Sequence, residues 1–106
     1  QIVKSPKPLD ILHLDAIAAL INAGHVVIAA GGGGVPVYKD EFNQLQGLDA
    51  VIDKDYTAAL VAAKLNAELL VLATNVDKVS TDYGTPRQKA LDSLTVDEAE
   101  FLLAKG

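Results

Sequence analysis

The sequence contains no cysteine, no methionine and no tryptophan, and its aromatics are three tyrosines and two phenylalanines. Without cysteine, neither a disulfide framework nor a thiolate metal site is possible. Long hydrophobic runs are also missing: no apolar stretch approaches the ~20 residues needed to span a bilayer. The first residues do not form a signal peptide, so the cytoplasm is the expected compartment. Basic residues are few, nine against fourteen acidic ones, for a net charge of −5. That balance argues against broad binding to nucleic acid or anionic membranes and leaves room for one local phosphate site. Half of the 106 residues are apolar and 22% are charged, which fits a globular fold and excludes intrinsic disorder. The length suits one small domain or part of a larger one. Because Gln1 leads straight into the apolar pair Ile2-Val3, the segment is expected to be the interior of a longer polypeptide.

Two apolar runs, Val26–Ala30 and Leu69–Ala73, read as strands covered on both faces. Between them, Ala58, Ala59, Ala62 and Leu65 recur at helical spacing, so strand, helix and strand make a βαβ-type unit. Upstream, Ile2-Val3 reads as the end of a strand and Ser5-Pro6-Lys7-Pro8 as a rigid loop. Asp10 is positioned to cap a helix carrying Ile11, Leu14, Ile17, Ala18 and Ile21, with Gly24 at its left-handed end. Val35–Tyr38 and Leu45–Leu48 predict a hairpin around the polar loop Lys39–Gln44, with Gly47 marking a bulge or turn. Phe42, in that loop, has no evident partner. Asn66 closes the central helix. Leu91 and Leu94 predict a short buried segment. Thr95-Val96-Asp97-Glu98 is a capping box opening a last helix, with Leu102 and Leu103 on its buried side and Gly106 at its end. His13 falls off the apolar stripe and reads as a solvent-facing helix residue, and no metal site is expected at His25, which lacks a second ligand at compatible spacing.

Three stretches carry chemistry. Gly31-Gly32-Gly33-Gly34 follows the first apolar run, at the strand end where open α/β sheets bind ligands. It is not a Walker loop, because Val35-Pro36 follows where Lys and Ser or Thr are required. It is not the dinucleotide fingerprint either, since extended chain and not a helix comes next. Four glycines still allow backbone N–H groups to approach an anion without Cβ interference; the other reading is a tight turn. Asp53-Lys54-Asp55 places three charges between the apolar Ala50-Val51-Ile52, of which Val51 and Ile52 are expected in buried extended chain, and the central helix. A lysine held between carboxylates suits phosphorylated substrates; otherwise it snorkels to solvent while an aspartate caps the helix. Thr74-Asn75-Val76-Asp77 follows the second apolar run, and Tyr83, in the turn Asp82–Pro86, either stacks on a base or covers a core edge.

The blocks AAGGGGVPV, AVIDKDYTAALVA and TNVDKV followed by YGTP, in that order and spacing and preceded by SPKP, resemble the carbamate kinases of the amino acid kinase family. The resemblance spans essentially the whole chain. It implies a three-layer α/β/α sandwich with a mainly parallel sheet, of which residues 1–106 would be a single, nucleotide-side part. It implies phosphoryl transfer between ATP and carbamate with Mg2+, the direction from carbamoyl phosphate and ADP to ATP being that of arginine fermentation, in a homodimer. Other amino acid kinases, such as uridylate or glutamate kinases, and a non-catalytic nucleotide-binding module are the alternatives.

Carried over by position, Lys54 corresponds to the lysine that contacts the transferring phosphoryl group and Asp55 to the aspartate that orients the catalytic lysines. Gly31, Gly32 and Gly33 correspond to the loop near substrate and phosphates. Asp53 is grouped with them and stays open between a helix cap and a metal or water ligand. Thr74, Asn75, Val76, Asp77 and Tyr83 correspond to the segments that hold the adenosine. The resemblance also implies amino-terminal glycine loops and a second catalytic lysine, neither of which lies within 1–106. Ser80 stands where an aromatic residue is common.

Overall fold

A computed structural model describes residues 2–105. The chain divides into two units, Gln1–Leu72 and Ala73–Gly106, each described by itself.

In the first unit, helix α1 (Leu14–Asn22) turns Leu14, Ile17 and Ala18 to its half-buried side. It starts later than Asp10 predicts. The Asp10 carboxylate accepts from the adjacent Ile11 N–H at 2.7 Å and pairs with Lys64 at 2.8 Å, so it is drawn away from the helix end. His13 takes the N-cap position with no side-chain hydrogen bond. The other end follows expectation: Gly24 (φ +83°) lets its own N–H reach Ile21 O and the His25 N–H reach Leu20 O, a Schellman closure. Strands β1 (Val37–Lys39) and β2 (Leu45–Gly47) form the predicted antiparallel hairpin, pairing Val37 with Gly47 and Lys39 with Leu45. Gly47 is a regular ladder residue and not a bulge.

Asp40 organises the hairpin loop. One carboxylate oxygen accepts from the Phe42 and Gln44 N–H groups at 3.0 and 2.8 Å, and the other from Gln46 Nε2 at 3.0 Å. Asn43 takes up the positive φ of +60°. Phe42 is exposed and nothing in the structure explains it.

Helix α2 (Lys54–Lys64) is capped by Asp53 and closed by Asn66, whose φ of +52° lets the Ala67 N–H reach Ala62 O at 2.9 Å. Ala58, Val61, Ala62 and Leu65 line an apolar groove together with Ala29, Ala30, Ala67 and Leu70. The groove-lining stretches are therefore those the sequence assigns to the βαβ unit. Its two strands are the main correction. Residues 26–30 and 69–72 form no ladder among the described residues, and Val26 and Ile28 are each 97% exposed. Strand pairing needs a neighbour's N–H and C=O groups, and among the described residues none pairs with them. Ile2-Val3 is likewise not a strand; only Lys4 forms an isolated parallel bridge to Ala50, with Val51 N–H donating to Lys4 O. Val51 is exposed and Ile52 half-buried, so this chain is extended but not buried as expected.

In the second unit, β3 (Ser80–Thr81) and β4 (Lys89–Ala90) pair antiparallel around a turn with positive φ at Asp82 and Gly84. Thr85 holds the turn, donating through Oγ1 to Asp82 O at 2.7 Å. Leu91 is half-buried, whereas Leu94 remains exposed. Helix α3 (Val96–Lys105) opens with the predicted capping box: Glu98 accepts from the Thr95 N–H at 2.8 Å, and Thr95 Oγ1 accepts from the Glu98 N–H at 3.3 Å. The Thr95 hydrogen bonds hold the Glu98 carboxyl below the usual glutamate range. Leu102 is half-buried, but Leu103, one helical step of about 100° onward, is 81% exposed. The predicted end at Gly106 lies outside the described residues.

Candidate active site

The first unit brings the glycine run and the charged triplet together. Gly31–Gly33 folds into a single 3₁₀ turn closed by the Gly33 N–H on Ala30 O at 3.1 Å. Positive φ occurs at Ala30 (+58°) and again, after Gly31, at Gly32, Gly33 and Gly34 (+69°, +97° and +87°). A non-glycine residue at Ala30 in the left-handed region is uncommon, and the glycines after it adopt that region without Cβ strain. Gly33 also has a packing requirement. A Cβ there would stand 1.9 Å from Ile52 O, so the turn rests directly on the chain leading into α2.

The glycines are thereby sorted. Gly33 is buried with its N–H and C=O both bonded inside the chain, which makes it the floor of the site. Gly31 and Gly32 are exposed, with open space where a Cβ would point, and are the members able to meet a ligand.

Asp53 resolves as the N-cap of α2. Its backbone is extended (φ −66°, ψ 126°) and one side-chain oxygen accepts from the Asp55 and Tyr56 N–H groups at 2.7 and 3.4 Å. Lys54 begins the helix, and its ammonium pairs with Asp55 Oδ1 at 2.9 Å. The two side chains are 65% and 54% exposed, so the pair faces solvent. The hydrogen bond and charge of Asp55, with a lesser contribution from Asp53, raise the Lys54 ammonium above the ordinary lysine range. Lys54 is therefore a charged cation at neutral pH, paired with Asp55.

Two features here escaped the sequence reading. Lys7 of the proline loop lies over the Tyr56 ring, 5.1 Å from its centroid, next to the triplet. Thr57 is 2% exposed and hydrogen-bonds to Gly33 O. A threonine in an alanine-rich helix gives no sequence signal of such a long-range bond.

Thr74, Asn75, Val76, Asp77 and Tyr83 all belong to the second unit. Thr74 Oγ1 and Asn75 Oδ1 are 3.5 Å apart, the limit of a hydrogen bond, and all four residues of the TNVD stretch are exposed. Tyr83 is 69% exposed, so its ring does not cover a core edge. Among the described residues no three His, Asp or Glu side chains gather as metal ligands.

The model of the amino acid kinase family matches residues 1–106, the full chain. The chain belongs to the amino acid kinase family. It is 51% identical over all 106 residues to a carbamate kinase of Staphylococcus haemolyticus, covering 34% of that protein, and 42% identical to a carbamate kinase-like protein of Escherichia coli, again covering 34%. Among solved structures, carbamate kinase from Giardia lamblia bound to AMP-PNP superposes with a TM-score of 0.89 at 34% identity, over 96% of this chain and 35% of that one. The amino acid kinase fold expected from the sequence is thus shown. The chain spans about a third of the length of the relatives it matches.

Proposed function

We propose that these residues form the nucleotide-side part of a carbamate kinase, which transfers a phosphoryl group between ATP and carbamate. The observation that carries the reading is the Lys54–Asp55 pair, held at 2.9 Å on the exposed start of α2 beside the glycine turn. Phosphoryl transfer asks mainly for positioning and for neutralisation of charge on the equatorial oxygens. Lys54 would meet that charge, Asp55 would aim and charge Lys54, and the Gly31 and Gly32 backbone would let the anion approach. Asp53 would serve through its cap, which fixes the turn on which Lys54 stands.

The relatives named carbamate kinases and the AMP-PNP complex of one of them support the choice of carbamate and ATP. Thr74, Asn75, Val76, Asp77 and Tyr83 are proposed to hold the adenosine, Tyr83 by stacking. Magnesium is expected with the nucleotide. The homodimer and the link to arginine metabolism rest on the family resemblance, and the cytoplasmic location on the sequence expectation given above.

The test uses the full native polypeptide carrying these residues, supplied with carbamoyl phosphate, ADP and magnesium, with ATP formation followed. ATP should form, and Lys54→Ala should lower kcat by about 10²–10³-fold, the usual effect of removing one donor to developing charge. No ATP from carbamoyl phosphate, with turnover on glutamate or uridylate instead, would reassign the acceptor.

A further inference from the structure

Gly33 and Thr57 are the only buried residues among those described, and they are bonded to each other. Thr57 Oγ1 donates to Gly33 O at 2.9 Å, with Asp53 O as a longer second acceptor at 3.3 Å. A helical threonine commonly turns its hydroxyl to the carbonyl four residues back. Here the shorter bond leaves the helix and reaches a residue 24 positions away. Thr57 is three residues after Lys54, on the first turn of the same helix.

We infer that Thr57 is a positioning residue for phosphate recognition: its hydroxyl fixes the glycine turn against the first turn of α2. Gly31 and Gly32 then keep a set place relative to the Lys54 ammonium. The need is physical, since four consecutive glycines have the greatest backbone freedom of any sequence. The turn's own bond, Gly33 N–H to Ala30 O, closes it locally and does not tie it to the helix. The Gly33–Ile52 contact forbids closer approach, and the Thr57 bond forbids retreat. The inference rests on the proposal that the turn and Lys54 face one phosphate.

The test compares wild type, Thr57→Val and Thr57→Ser in the full native polypeptide, titrated calorimetrically with pyrophosphate and, separately, with adenosine. Loss of one neutral hydrogen bond predicts pyrophosphate affinity reduced about three- to tenfold in Thr57→Val. Thr57→Ser, which keeps the hydroxyl, should stay within about twofold of wild type. Adenosine affinity should be the same in all three, whereas general loosening of the fold would lower both ligands together. If Thr57→Val does not fold, Thr57→Ala removes the same hydroxyl. Wild-type affinity for pyrophosphate in the hydroxyl-free variant, equal loss in Thr57→Ser, parallel loss of adenosine, or no pyrophosphate binding by wild type would each overturn the inference. A wild type that binds pyrophosphate but makes no ATP would overturn the carbamate kinase reading alone, and the titration would still decide the role of Thr57.

Discussion

Lys54 occupies the first position of α2, where the helix dipole disfavours a cation. The chain offsets this with an aspartate on either side: Asp53 accepts from two of the first-turn N–H groups, and Asp55 binds the ammonium itself. The direction of the Lys54 shift sets a pH prediction. A lysine raised by its partner adds stability fully below the ordinary lysine value, and loses it as pH rises through the raised one. Both groups are exposed, so the stability effect is small and activity is the better readout. In Asp55→Asn the opposing carboxylate charge is gone. The alkaline limb of the kcat/KM profile should then move to lower pH, and kcat should fall by as much as about 100-fold as the ammonium loses its aim. An unchanged alkaline limb would show that Asp55 does not hold the proton on Lys54.

At the scale of elements, α2 and α3 carry caps of comparable chemistry and unequal proposed importance. Asp53→Ala and Thr95→Ala should each cost about 0.5–2 kcal/mol of helix or protein stability in the full native polypeptide, measured by denaturant titration. Only Asp53→Ala should also lower phosphoryl transfer, because its cap supports the turn that presents Lys54. Equal activity in the two variants would separate the cap from the chemistry. These caps were legible in the sequence because they are local: Thr95 and Glu98 are three residues apart, and Gly24 and Asn66 punctuate their own helices. The charged triplet was legible for the same reason, down to an aspartate cap. What escaped was long-range. Asp10 missed its helix because Lys64, far along the chain, competes for it. The Thr57–Gly33 bond was illegible on the same ground.

For the molecule as a whole, the two apolar runs decide the energetics. Their composition predicts burial, and the structure leaves them exposed: a strand is a property of a pair, and among the described residues neither run has one. Val26, Ile28, Leu69 and Val71 are each at least 74% exposed, and no hydrophobic residue among those described is buried. Covering four such side chains is worth together about 6–12 kcal/mol. That is as large as the entire net stability of an ordinary domain, about 5–15 kcal/mol. These 106 residues span about a third of the length of relatives that share the fold, and we propose that in the full native polypeptide this apolar surface is covered. The 106 residues expressed alone should therefore unfold without a sharp thermal transition by circular dichroism, bind the dye ANS, and form no ATP from carbamoyl phosphate and ADP. The full native polypeptide should melt cooperatively and exclude the dye. A steep, reversible melt of the 106-residue chain with no dye binding would mean that residues 26–30 and 69–72 find partners within it, and the assignment of that surface to the rest of the fold would fall.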